Sequence, residues 1–369
     1  MIKLPFARAA FAVLLLASFA CKTSAPPSSK HKKFEVIAYF HSKGADIQQY
    51  KWEQLTQVIF SFCHLRGNQL AVDNEQDSLV IRNLVALKKQ HPHLKVLLSL
   101  GGWGGCATCS PVFSTPEGRS EFAASVQELT KEYDTDGIDL DWEYPAIEGY
   151  PGHPHKPEDK RNFTLLVQEL RRALGRRAEI SFAAGGFASF FDNSIEWAQV
   201  MPLLDRVNLM SYDLVGGFST VTGHHAPLFS TAEQQGSVDY GVRYLKTLGV
   251  PPQKIVIGAA FYARTWEQVE DVNNGLYQPG KFKSFVPYKN FSQTINRVAG
   301  FTFFRDPAAQ APYAYSASHK EFATFDDAES VALKTKFARA KGLGGIMFWQ
   351  LTDDLPQNGL LQAIHEANQ

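Results

Sequence analysis

The segment Asp136-Gly-Ile-Asp139-Leu-Asp141-Trp-Glu143-Tyr-Pro145 places four carboxyl groups in one short stretch. In extended backbone successive side chains point to opposite faces. Asp139, Asp141 and Glu143 therefore share one face, and Ile138, Leu140 and Trp142 share the other. Three carboxyls that are all charged, buried and unpaired would be costly. A solvated charged surface would need a polar exposed face, which this run does not offer. The pattern instead suits a site that crowds carboxyl groups until their proton affinities separate. Glu143 is outermost, at the C-terminal end of the run, where a substrate can take its proton. Asp136, at the start, reads as a structural residue that fixes the preceding turn.

Such a run needs a scaffold that buries it. Eight short apolar, β-rich runs recur along the chain: Phe34–Phe40, Gln57–Leu65, Lys95–Leu100, Gly137–Tyr144, Glu179–Ala184, Arg206–Tyr212, Lys254–Tyr262 and Gly345–Leu351. Their near-continuous apolar character fits strands buried on both faces, as in parallel sheets. Ser120–Tyr133, Asn162–Leu174 and Ala328–Ala340 carry apolar residues at helical spacing. Eight strand–helix units predict an α/β fold, a (β/α)8 TIM barrel. The seventh and eighth runs are about eighty residues apart, more than a crossover and helix need. The aromatic-rich stretch 263–325 is therefore predicted to be a small inserted α+β subdomain, with Phe301–Phe304 as one strand. An insertion at the C-terminal face of the barrel would wall the active site.

Further segments follow in order at the ends of these runs. They are Ser61-Phe62, Ser99-Leu-Gly-Gly-Trp103, Met210-Ser-Tyr212-Asp213, Phe261-Tyr262-Ala-Arg264 and Gly344-Gly345-Ile-Met-Phe-Trp349. Together with D-x-x-D-x-D-x-E they resemble the family 18 chitinases along nearly the whole mature chain. Ala263 departs from the glycine common there, a small-for-small change. The resemblance implies retaining hydrolysis of β-1,4 links between N-acetylglucosamine units, assisted by the substrate's own acetamido group. It implies Glu143 as acid and later base, and Asp141 as partner of the acetamido N–H. Asp139 would lie deeper and share a proton with Asp141. Tyr212 would donate to the acetamido oxygen.

By the same resemblance, Asp213 and Arg264 bind sugar hydroxyls. Trp349 floors the distorted sugar, beside Tyr39 and Phe62. Gly102, Tyr144, Met210 and Tyr262 complete the substrate-binding set, and Trp103 and Trp266 stack on sugars further along. The inserted subdomain, deepening the groove, hints at exo-type or processive action. Two other readings share the motif: an endo-β-N-acetylglucosaminidase of N-glycans, and a chitin-binding lectin, although such lectins usually lack the acid that Glu143 supplies. No metal or organic cofactor is implied. The expected partner is chitin or a chitooligosaccharide, and the expected state a monomer.

Charge and cysteines bound the remainder. The 37 Lys and Arg residues balance 37 Asp and Glu, whereas a nucleic-acid binder would usually show a basic excess. Residues 1–20 read as a signal peptide, with Lys3 and Arg8 before the apolar run Ala9–Ala20, too short to span a bilayer comfortably. Small residues followed by Cys21 resemble a bacterial lipoprotein signal, in which Cys21 carries the lipid. A cleaved signal with an incidental cysteine is the alternative. Either way the protein is expected to be exported, and the lipid would be its only membrane link. The polar residues 22–33 read as a tether, and 34–369 as the catalytic barrel. Cys106 and Cys109 suggest a small-loop disulfide, and Cys63 a buried thiol. His153 and His155 lack the partners of a metal site. His224-His225 is left open. Gly101-Gly102 lacks the Lys and Ser/Thr of a phosphate loop.

Overall fold

A computed structural model describes residues 1, 2, 4, 34–41 and 47–369. The chain divides into two units, Met1–Lys32 and Lys33–Gln369, and the fold below is that of the second. The signal peptide, Cys21 and the tether lie outside the described residues.

Eight parallel strands close on themselves: β1 (Glu35–Phe40), β2 (Gln57–Arg66), β3 (Lys95–Gly101), β4 (Gly137–Asp141), β5 (Glu179–Gly185), β6 (Arg206–Met210), β7 (Ile255–Ala260) and β8 (Gly345–Trp349). Each pairs with its sequence neighbours. β1 joins β8 through Ile37 opposite Met347 and β2 through Tyr39 opposite Ile59, which completes the predicted barrel. Alternation sorts each strand between two cores. Ile37, Ile59, Leu97, Ala183, Val256 and Met347 fill the barrel interior. Ile138, Leu140, Phe182, Leu209, Ile346 and Phe348 face the helices.

The helices start where local chemistry favours them. Thr115 caps α2 (Pro116–Tyr133) by accepting from Gly118 N–H, and Pro116 lies in its first turn. Ser237 does the same for α6 (Val238–Thr247), and Asp327 with Ser330 forms a capping box on α7 (Ala328–Ala340). The remaining large helices are α1 (Glu75–Ala86), α3 (Asp159–Leu174) and α8 (Leu360–Asn368); between β5 and β6 stand only the short α4 (Ala188–Asn193) and α5 (Trp197–Val200). The eight-fold strand–helix alternation also fails at its first step. Among the described residues, β1 and β2 are joined by two single 3₁₀ turns, Ile47–Gln49 and Trp52–Gln54. The buried indole of Trp52 packs on Phe40 and Tyr50 and covers this side of the barrel instead.

Three of the apolar runs end sooner than expected, among them the eighth, which stops as β8 at Trp349, before Leu351. β4 stops at Asp141, so Glu143 lies just beyond the strand, and β6 stops at Met210, before Tyr212. The seventh run breaks at Phe261. From Tyr262 the chain enters an antiparallel five-stranded sheet of Tyr262–Glu267, Lys281–Pro287, Thr302–Asp306, Ala311–Ser316 and Glu321–Phe325. This sheet runs through the stretch 263–325, starting one residue before it at Tyr262.

One carboxylate clamps both ends of the insertion. Asp326, directly after its last strand, accepts from Ala260 N–H at the end of β7 at 3.0 Å. It also accepts from Ser330 Oγ at 2.6 Å and Lys334 Nζ at 2.5 Å on α7. The two charged side chains are 0% and 1% exposed. Replacing Lys334 by Met leaves the Asp326 charge buried without its cation. The expected loss is about 3–5 kcal/mol of stability, read as a lower midpoint in urea unfolding.

Candidate active site

The C-terminal ends of the strands open into a cleft of about 1150 Å³. Its floor is aromatic. Trp349, ending β8, stacks on Phe62 from β2 with centroids 5.6 Å apart and planes 14° apart, and meets Tyr39 from β1 at 5.9 Å. The peptide bonds Ser61–Phe62, Glu143–Tyr144 and Trp349–Gln350 at this level are cis.

Asp139 lies below the floor, fully buried and anchored from four sides. Tyr39 OH and Ser99 Oγ each donate to Oδ2 at 3.1 Å. Ser181 Oγ donates to Oδ1 at 2.6 Å and Asn208 Nδ2 at 3.0 Å. Burial raises its proton affinity, and these four donors offset part of the rise. Asp141, next on the same face, has an Oδ1 that is buried without a hydrogen-bond partner. Burial, then the charges of Glu143 and Asp139, push its carboxyl well above the usual range. Glu143 lines the cleft itself. Burial raises it to about 7; a hydrogen bond with Tyr144 opposes the rise and the charge of Asp213 adds to it.

Asp213 is treated oppositely. Burial alone would raise it, but Arg264 and His225 outweigh that and hold the carboxyl below its usual range. Arg264 binds it with a fork, Nε at 2.7 Å and Nη2 at 2.6 Å. Arg264 comes from the first strand of the insertion, as does Tyr262, so the subdomain supplies the cleft wall that its position predicted.

Tyr39, Phe62, Trp103, Tyr144, Met210, Tyr212, Tyr262 and Trp349 all line the cleft. Two expected contacts do not. Gly102 is buried beneath Phe62, where its positive φ of 81° and the closeness of the ring admit no side chain, and its N–H donates to Asp141 O at 3.0 Å. Trp266 is 0% exposed in the core of the insertion, with Phe282 and Phe322 against it and its indole N–H on Ser219 O. Alternation does set it on the side of Tyr262 and Arg264, but the strand carries it under the loop after β6. Phe282 lines the cleft in its place.

His224 and His225 are both buried. His224 Nε2 meets Asp306 of the insertion at 3.0 Å, and His225 Nδ1 stands 3.6 Å from Asp213 Oδ1. Asp136 ties β3 to β4, accepting from Val96 N–H and Lys88 Nζ, in keeping with a structural role. Cys63 is a buried thiol, and Cys106 and Cys109 are bonded. Among the described residues no group of three or more His, Cys, Asp or Glu could hold a metal ion. Sequence reasoning missed Tyr150, Phe187, Phe218 and Phe285, which extend the cleft. Phe218 follows Gly216-Gly217; a large aromatic in a glycine-rich loop, 76% exposed, was the available signal.

A model of the glycosyl hydrolases family 18 matches residues 35–354. Chitinase A1 of Niallia circulans is 36% identical over 299 residues, 74% of this chain and 42% of that protein, so the chain spans under half of that relative's length. The solved family 18 N-acetylglucosaminidase of Paenibacillus barengoltzii superposes with a TM-score of 0.81 at 34% identity, covering 91% of this chain and 100% of the other. The Ostrinia furnacalis Group IV chitinase, solved in complex with allosamidin, gives 0.83 at 27% identity, covering 90% and 98%. The barrel, the carboxylate column and these likenesses agree: the chain belongs to glycosyl hydrolase family 18.

Proposed function

We propose that the protein hydrolyses β-1,4 linkages between N-acetylglucosamine units in chitin or chitooligosaccharides, with retention and with the acetamido group of the substrate assisting. The observation that carries this reading is Glu143, its carboxyl raised to about 7, lining an aromatic cleft two residues beyond Asp141. Glu143 gives its proton to the glycosidic oxygen, which departs as an alcohol while the acetamido oxygen bonds to the anomeric carbon. Asp141, even when protonated, keeps an acceptor oxygen for the acetamido N–H. Its partnerless Oδ1 suits that contact. Tyr212 donates to the acetamido oxygen. Water then adds its oxygen to the anomeric carbon and its proton to Glu143, and the acetamide is restored. Asp213 and Arg264 hold hydroxyls, and Trp349 carries the sugar face. Protonation and the substrate's own acetamide supply the chemistry.

The shared catalytic motif keeps a second substrate in view: the N-glycans cut by endo-β-N-acetylglucosaminidases. Assays of chitin oligomers against a high-mannose glycoprotein separate the two. A purely sugar-binding role would leave the retained Glu143, Asp141 and Tyr212 without use. We also propose that Cys21 carries a lipid; Cys21→Ser should then move the protein from the membrane to the soluble fraction, and unchanged fractionation would reject this.

Glu143→Gln removes the acid at constant shape. Turnover of chitin oligomers should fall by at least ~10²–10⁴ with the melting temperature preserved; near-normal turnover would refute the assignment. Because the Glu143 carboxyl is raised to about 7, it holds its proton below that pH and loses it above. The value of kcat/KM should therefore decline as pH rises through about 7, since this ratio reports groups of the free enzyme. A profile flat to pH 9 would remove Glu143 from the role of acid.

A further inference from the structure

Trp103 meets the cleft half-exposed, and its ring contacts are with Tyr150 at 5.6 Å and Phe218 at 6.1 Å, both from other loops. Its own loop gives it little local support. Gly101, Gly102 and Gly104 around it all have positive φ, at 106°, 81° and 86°. Glycine loses more freedom on ordering than any other residue, so such a loop is intrinsically loose. It is nevertheless pressed onto the catalytic strand. Gly102 N–H donates to Asp141 O, and a side chain at Gly101 would run into that same carbonyl.

The anchor follows at once. Cys106 and Cys109 are joined with Cα atoms 5.1 Å apart, and the Cys106 sulfur packs over Gly101. Cys109 opens a short helix, Cys109–Phe113, whose Phe113 packs on Phe122 at 5.0 Å and on Trp142 at 5.4 Å. Trp142 stands between Asp141 and Glu143. The cysteines are 4% and 0% exposed, unlike the accessible pairs that exchange disulfides. We propose that the Cys106–Cys109 disulfide is a positioning element of the site, closing the glycine-rich loop onto the catalytic strand and so setting where Trp103 meets the sugar chain. This rests on the sugar-binding reading of the cleft.

The test is a double-mutant cycle on chitotetraose, with dissociation constants from calorimetry and kcat/KM from product release. The four proteins are wild type, Cys106→Ser/Cys109→Ser, Trp103→Ala and the combination. Breaking the disulfide should weaken binding about fivefold or more when Trp103 is present and add little when it is absent, as coupled residues behave. Equal losses in both backgrounds, or no loss in the first, would overturn the proposal, because a merely structural staple acts regardless of residue 103. Should the serine pair fail to fold, Cys106→Ala/Cys109→Ala completes the cycle without a buried hydroxyl. Wild type that binds the oligomer without cutting it rejects the hydrolase reading while the binding cycle still decides this one; wild type that does not bind overturns both.

Discussion

The barrel interior is organised around a buried carboxyl group that must be satisfied where water cannot reach it. Asp139 crosses the lumen to Tyr39, Ser99, Ser181 and Asn208, on β1, β3, β5 and β6. Leaving such a group unpaired would cost several kcal/mol, of order 2–7 even for a neutral polar group. Four polar residues are therefore committed to positions that a simple barrel would fill with Val, Ile or Leu. Asn208 Nδ2 also reaches Tyr39 OH at 3.1 Å, which ties two of the donors to each other. Both oxygens of Asp139 are satisfied within this network, while Asn208 Oδ1 is buried without a hydrogen-bond partner. Asp141 and Glu143 inherit their positions from it, since Asp141 sits further up the same strand and Glu143 just beyond its end.

The insertion extends this order to the cleft wall. Asp326 closes its two ends on the barrel, and the loop after β6 is stitched along its sheet: Thr222 N–H to Gln278 O, Gly280 N–H to Thr220 O, and His224 to Asp306. That loop carries Asp213 and Phe218; the insertion carries Arg264. The Asp213–Arg264 pair is thus a contact between two segments already tied to each other. The fork can rely on fixed geometry instead of ordering two free side chains, which is what makes most surface ion pairs weak.

Much of this was legible in the sequence because the signals were local. Alternation along Asp139, Asp141 and Glu143 needs only a strand, and α7 runs over the predicted residues Ala328–Ala340 because its cap and apolar spacing are written in consecutive positions. What was not legible depends on partners distant in the chain. Trp266 and Arg264 carry the same alternation signal, and only Phe282, Phe322 and Ser219 decide that one is core and the other wall. Gly102 was placed in the substrate-binding set by resemblance, but the Phe62 ring from β2 covers it. His224 and His225 were undecidable because Asp306 and Asp213 define their surroundings. That the described residues between β1 and β2 form 3₁₀ turns had no sequence signal beyond a short connection with a tryptophan in it.

The site separates carboxyl groups of one chemistry by what each is given as a partner. Asp139 and Asp141 are buried and Asp213 stands part-exposed on the cleft wall, and loss of solvent by itself raises each of them. Asp139 receives neutral donors, which only moderate the rise. Asp141 receives two further carboxyls, which steepen it. Asp213 receives a guanidinium, and the sign reverses. The fixed negative charge this leaves at Asp213 is one of the influences that raise Glu143. Arg264 therefore acts on Glu143 at one remove: by keeping Asp213 ionised it helps hold the Glu143 carboxyl up. The acid role proposed for Glu143 needs a proton at the pH where it works, so the ion pair on the cleft wall and the carboxyl at its centre are parts of one electrostatic arrangement.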